Sequence, residues 1–185
     1  MKSTTTYFEG MGRAFTEDTL AIASDRAAAL GIRDIVLASY SGYTMAKALD
    51  AFSGQKVRLI AVGGTLEEFP ADLLRRCEAE GHAVIFHGEV GKPFPEAVAN
   101  AYRRLSEGAK VCVQIAADAV EAGLVAEGTK VIAIGGTGRR GFPEGGGVDT
   151  AMVVSALPAG AYAPEAEMPP KAERRSVHEI LCKPG

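Results

Sequence analysis

Residues 30–62, LGIRDIVLASYSGYTMAKALDAFSGQKVRLIAV, decide the fold. Ile35 to Ala38 is a short continuous apolar run, the pattern of a strand buried on both faces. A hydroxyl-rich loop, Ser39 to Thr44, follows it. Met45, Ala48, Leu49 and Phe52 then keep the i, i+3, i+4, i+7 spacing of one helix face. Gly54 stops that helix, and Val57 to Val62 reads as the next strand. Two buried strands joined through a helix pair in parallel, because a crossover returns the chain in the same direction.

The same alternation extends outward. Thr16 to Leu30 reads as a helix, with Thr16 able to cap it, Glu17 and Asp18 in its first turn, and Gly31 at its end. Pro70 starts a helix that ends near Gly81, and Ala83 to Phe86 is a strand. Pro95 starts another helix, with Val98, Ala101, Tyr102 and Leu105 on its apolar face. Lys110 to Ala122 reads either as strand then helix or as helix throughout, and Ala116, Ala119 and Val120 favour helix for most of it. Lys130 to Ile134, Ala151 to Ser155 and His178 to Cys182 are strand-like. Strands separated by helical patterns predict an α/β fold, with a three-layer α/β/α sheet over residues 1–185 as one domain. Leu157 to Ala172, rich in Ala, Pro and Glu, reads as a surface excursion.

Bulk properties narrow the partners. A net charge of −3 gives no general basic field, so neither nucleic acid nor an anionic membrane is expected as a partner. Any anion site must be local. No apolar run approaches the ~20 residues that span a bilayer, and the N-terminus lacks the apolar core of a signal peptide, so a cytoplasmic location is expected. Cys77, Cys112 and Cys182 lack CxxC spacing, which argues against a disulfide framework or a zinc site. No metal is predicted. His82, His87 and Glu89 are close in sequence, but polar groups satisfied at a strand tip explain them better than a metal does. Asp118 and Glu121 read as a solvated helix face. Self-association into a homo-oligomer stays open.

Ligands of open α/β sheets sit beyond the carboxyl ends of the strands. Two loops have the composition for that place. Ser39, Ser41, Gly42 and Thr44 supply hydroxyls, a glycine and a helix N-terminus, suited to a phosphate. Ordinary helix capping explains the same residues equally well. The second loop runs through Gly136, Thr137, Gly138 and Arg139 to Asp149 and Thr150. Residues 136–141 match GxGxxG literally. The fingerprint should open a helix, yet Phe142, Pro143 and three glycines, Gly145 to Gly147, follow, so a Rossmann site is not expected. Glycine backbone and arginine still favour an anion-wrapping loop over a plain hairpin. There is no P-loop, no Ser-His-Asp arrangement and no catalytically spaced carboxylate pair.

Several stretches together resemble a stand-alone family similar to the pyruvate kinase C-terminal domain. They are TYFEGMG (6–12), TEDTLAIASDRA (16–27), LGIRDIVLASYSGYTMAKAL (30–49), KVCVQIAADAVEAGLV (110–125), KVIAIGGTGRRG (130–141) with GVDTA (147–151), and VHEILCKP (177–184). They cover nearly the whole chain in matching order. The resemblance implies a mostly parallel five-stranded sheet with one antiparallel strand. It does not imply kinase activity, since the barrel that carries it would need a further domain of about 250 residues. In pyruvate kinases this domain binds a regulatory sugar bisphosphate, one loop gripping a phosphate and a glycine-rich loop closing the other end. Ser39, Ser41, Gly42 and Thr44 match the first loop, and Gly136, Thr137, Gly138 and Arg139 resemble the second. Thr16, at a helix start, would add a third wall. The stand-alone proteins imply flavin mononucleotide (FMN) or another phosphorylated small molecule as ligand. The expected function is therefore a binding or sensing domain, with a flavin-dependent enzyme using the same cleft as the alternative. The chain departs from its relatives at Ala14-Phe15-Thr16, at Gly63-Gly64-Thr65, and in the residues from Phe142 to Val148.

Overall fold

A computed structural model describes residues 3–90, 93–137, 146–163 and 176–185. Seven strands form one mixed sheet in the order β1-β7-β6-β5-β2-β3-β4. They are β1 (Thr6–Phe8), β2 (Asp34–Ala38), β3 (Arg58–Gly63), β4 (Ala83–Phe86), β5 (Lys130–Gly135), β6 (Thr150–Ser155) and β7 (Val177–Pro184). Five helices join them: α1 (Thr16–Leu30), α2 (Tyr43–Ala51), α3 (Ala71–Ala79), α4 (Glu96–Arg103) and α5 (Glu107–Glu121). A short 3-10 turn, Gly12–Phe15, leads into α1.

The five strands implied by the resemblance become seven. Thr6–Phe8 gave no strand signal, because three residues are too few to show a period. It holds its place by parallel pairing with Cys182–Pro184 on the sheet edge. The segment around Lys110 is helix throughout. Ser106 begins α5, its Oγ accepting the Ala109 N–H at 2.9 Å. Thr16 does not cap α1 as expected, and its hydroxyl is used elsewhere.

Direction in the sheet follows from the connections. β2, β3 and β4 pair in parallel, as does β2 with β5. β6 is antiparallel to both β5 and β7. Among the described residues between β5 and β6 there is no helix. Gly135 is opposite Thr150 at the end of this antiparallel pair, so the two ends of the glycine-rich segment lie side by side.

Alternate strand residues enter two separate cores. Ile35, Leu37, Ile132 and Ile134 join Leu20 of α1, Met45 of α2 and Leu73 of α3 in one cluster. Val36, Val131 and Ala133 join Cys112, Val113 and Ala116 of α5 in the other. Helices therefore pack on both faces of the sheet, which is why β2 and β5 read as continuous apolar runs. Among the described residues no helix is long and apolar enough to cross a membrane. Cys77, Cys112 and Cys182 are free thiols, all buried.

The chain leaves β2 toward β3 through α2, and later returns to the other side of β2 as β5. Strand order thus reverses between β2 and β5. That is the position where an α/β sheet opens a crevice at its carboxyl edge.

Candidate functional site

A cleft of about 440 Å³ occupies this crevice. Ala38 at the end of β2 and Val62 and Gly63 at the end of β3 form its floor. Tyr40 and Ser41, with Tyr43 and Thr44 from the first turn of α2, form one side. Lys110, Val111 and Gln114 of α5 form another. Gly136, Gly146, Gly147 and Arg13 close the end nearest β5.

The two loops expected from sequence do meet here, but their residues divide the labour. Ser41 and Thr44 line the cleft. Gly42 makes the turn before α2 with φ +83°, and a Cβ there would lie 2.8 Å from Pro70 Cδ and 2.9 Å from Leu73 Cδ2. Ser39 lies behind the wall, 2% exposed, and its Oγ accepts the Met45 N–H at 3.0 Å. For Ser39 capping is thus the observed role. Ser39→Ala should lower stability by about 1 kcal/mol in urea denaturation, the usual loss with a helix cap.

In the second loop Gly136 reaches the cleft. Thr137 is tied to Asp149: its N–H donates to Oδ2 at 3.0 Å and its hydroxyl to Oδ1 at 3.0 Å. Gly138 and Arg139 lie outside the described residues. Thr16 is fully buried, and its Oγ1 accepts the Val148 N–H at 3.1 Å. It braces the returning limb of the loop from behind and is not among the cleft-lining residues.

Asp149 is the centre that sequence reasoning undervalued. It is completely buried. Besides Thr137, it accepts from Gly12 N–H at 2.8 Å and Thr150 Oγ1 at 2.9 Å. One carboxylate thereby joins the turn before α1, both limbs of the glycine loop and the start of β6. A lone Asp between Val148 and Thr150 carries little sequence signal.

The cationic groups of the cleft were also missed. The Arg13 guanidinium stacks over the Tyr43 ring, 3.8 Å from its centroid. Lys110 has a side chain 16% exposed, with Nζ 3.4 Å from Glu107 Oε1. His87 follows β4 at its carboxyl end and lines the cleft directly against α5. Its Nδ1 lies 2.7 Å from Asp118 Oδ2, and its Nε2 lies 2.8 Å from Gln114 Nε2. Its position directly after a strand was the available clue.

Asp118 corrects an expectation. It is 4% exposed, not part of a solvated face, because the turn after β4 covers this side of α5. The hydrogen bond that His87 donates to Asp118 holds the His87 pKa above its ordinary value, against the opposing effect of burial. His82 is at the other end of β4, where Nδ1 accepts the Leu59 N–H at 3.2 Å. The two histidines therefore do not share a site. Among the described residues no group of three or more His, Cys, Asp or Glu could hold a metal ion.

No known protein-family model matches this sequence. The cleft must therefore be read from its own chemistry. A helix N-terminus of α2 presents backbone N–H groups at its edge. Arginine, lysine and histidine surround it within an otherwise acidic protein. An apolar floor of Ala38, Val62 and Ile115 adjoins these groups. The arrangement suits an anion attached to a partly apolar body.

Proposed function

We propose that the protein binds a phosphorylated small molecule, FMN or a sugar phosphate, in this cleft and has no pyruvate kinase activity. The observation that carries the reading is the convergence of the α2 N-terminus with Arg13, Lys110 and His87 around one crevice. Helix amides and local cations favour phosphate even where net charge is negative. The pyruvate kinase C-terminal-like, three-layer assignment is the finer reading of the fold, supported by helices on both faces of the sheet. Buried, free cysteines fit a reducing cytoplasm.

A second reading, a flavin-dependent enzyme, is favoured by Tyr40. Its aromatic ring lines the cleft, as a residue beside a heteroaromatic ligand would.

Thermal unfolding with FMN, sugar phosphates, nucleotides and inorganic phosphate tests both readings. The melting temperature should rise with at least one of them, since a ligand held by the folded state alone stabilises it by mass action. No shift with any compound at millimolar concentration would remove the phosphate reading. Stabilisation by sugar phosphate with none by FMN would remove the flavin one.

A further inference from the structure

We propose that the His87–Asp118 pair transfers protons on a bound phosphorylated hydroxy-carbonyl compound, so that the cleft converts its ligand as well as holding it. The inference rests on the phosphate reading above. An ionised carboxylate can only accept, so the 2.7 Å contact makes His87 Nδ1 the donor to Asp118. That leaves the lone pair on Nε2, where it meets the amide of Gln114 at 2.8 Å. A ligand displacing this amide would meet a base whose tautomer and ring orientation are already set.

The surroundings suit proton removal next to a carbonyl. From α5, Asp118, Gln114 and Lys110 surround the imidazole, and Lys110 lies close enough for its charge to oppose protonation of His87. β3 anchors the main chain here, the Gly63 carbonyl accepting the backbone N–H of His87 at 3.1 Å. Across the cleft stand Arg13, Tyr40 and Tyr43, and Glu89 follows two residues along the turn. In the step, Nε2 takes the hydrogen from the hydroxyl-bearing carbon. The C–H bond breaks, an N–H bond forms, and the electron pair becomes an enediolate whose oxygen charge Lys110 offsets. Return of the proton to the neighbouring carbon, with the hydroxyl proton passing in the same sense from the first oxygen to the former carbonyl oxygen, completes an isomerisation without any oxidant or reductant. The raised pKa of His87 strengthens it as a base near neutral pH.

Solvent-deuterium incorporation tests this. Dihydroxyacetone phosphate and fructose 6-phosphate are incubated with the protein in D2O and followed by proton NMR. The hydrogens beside the carbonyl should exchange faster than in buffer, with the rate falling at acid pH as His87 protonates. His87→Gln should lower the rate on the order of 100-fold or more, the usual contribution of a general base. Asp118→Asn keeps the imidazole and should move the acid limb to lower pH, an effect a merely structural pair would not produce. Melting temperatures with and without inorganic phosphate verify that each variant folds and binds. Exchange no faster than buffer, or unchanged by His87→Gln, overturns the proposal. If the compounds still stabilise the protein, the binding reading survives; if nothing stabilises it, both readings fall.

Discussion

Asp149→Ala should lower the melting temperature by about 6–12 °C, the shift that ~3 kcal/mol produces in a protein of this size. The magnitude follows from what the carboxylate satisfies. Gly12 N–H, Thr137 N–H, the Thr137 hydroxyl and the Thr150 hydroxyl all donate to it within a fully buried site. Removal strands these donors, and each unsatisfied buried group costs about 1–3 kcal/mol before relaxation. Asp149→Asn should fall between wild type and alanine, since an amide keeps the shape but surrenders one acceptor to a donor. Differential scanning calorimetry of the three proteins decides the matter. An alanine variant within about 2 °C of wild type would mean that water or local rearrangement replaces the carboxylate. Because the same residue sets the turn before α1 and the glycine loop, phosphate affinity should fall along with stability.

Gly147→Ala should weaken phosphate binding by about tenfold or more while destabilising the fold by about 1–3 kcal/mol, the range for a side chain forced into left-handed backbone. Gly147 has φ +69°. A Cβ there would overlap Thr16 Oγ1 and approach Arg13 Cα at 2.8 Å. Neither neighbour yields easily, since Thr16 is buried and holds Val148, while the other contact is backbone. The loop must move outward or Arg13 must leave its seat on Tyr43. Either shift disturbs the end of the cleft nearest β5. Isothermal titration with the best stabilising ligand reads the affinity. An unchanged dissociation constant would show that this limb does not contribute to the site.

The outline of the fold was legible because both faces of the sheet are covered. A strand such as Ile35–Ala38 then has no polar alternation to confuse it with solvent-facing structure. The edge strand β1 was illegible for the opposite reason. Tyr7 is 63% exposed, and the strand exists through pairing with a segment distant in sequence. The site was partly legible. Hydroxyls and glycines cluster in sequence, so both loops stood out, and Ser41, Thr44 and Gly136 do line the cleft. What failed was the assignment of roles within them. Ser39 and Thr16 use their hydroxyls on backbone N–H groups, which composition cannot distinguish from ligand contact. Arg13, His87 and the α5 pair Lys110 and Asp118 come from three places that only the tertiary fold brings together. Gly138 and Arg139 lie outside the described residues, so their contribution is a matter for mutation and titration.

The edge pairing of β1 with β7 also bears on the order of assembly. Thr6 is opposite Cys182, and the Thr5 hydroxyl reaches the Ile180 carbonyl. Closing so long a loop carries a large entropy, and contacts between sequence-distant segments form slowly. Arg13 lies between β1 and α1, so its end of the cleft is tethered to β7, which is synthesised after the other six described strands. A nascent chain can complete the β2–α2–β3 portion early, yet it cannot fasten β1 beside the Arg13 wall until β7 has emerged. Completion of the cleft therefore waits on β7, however early its floor is formed.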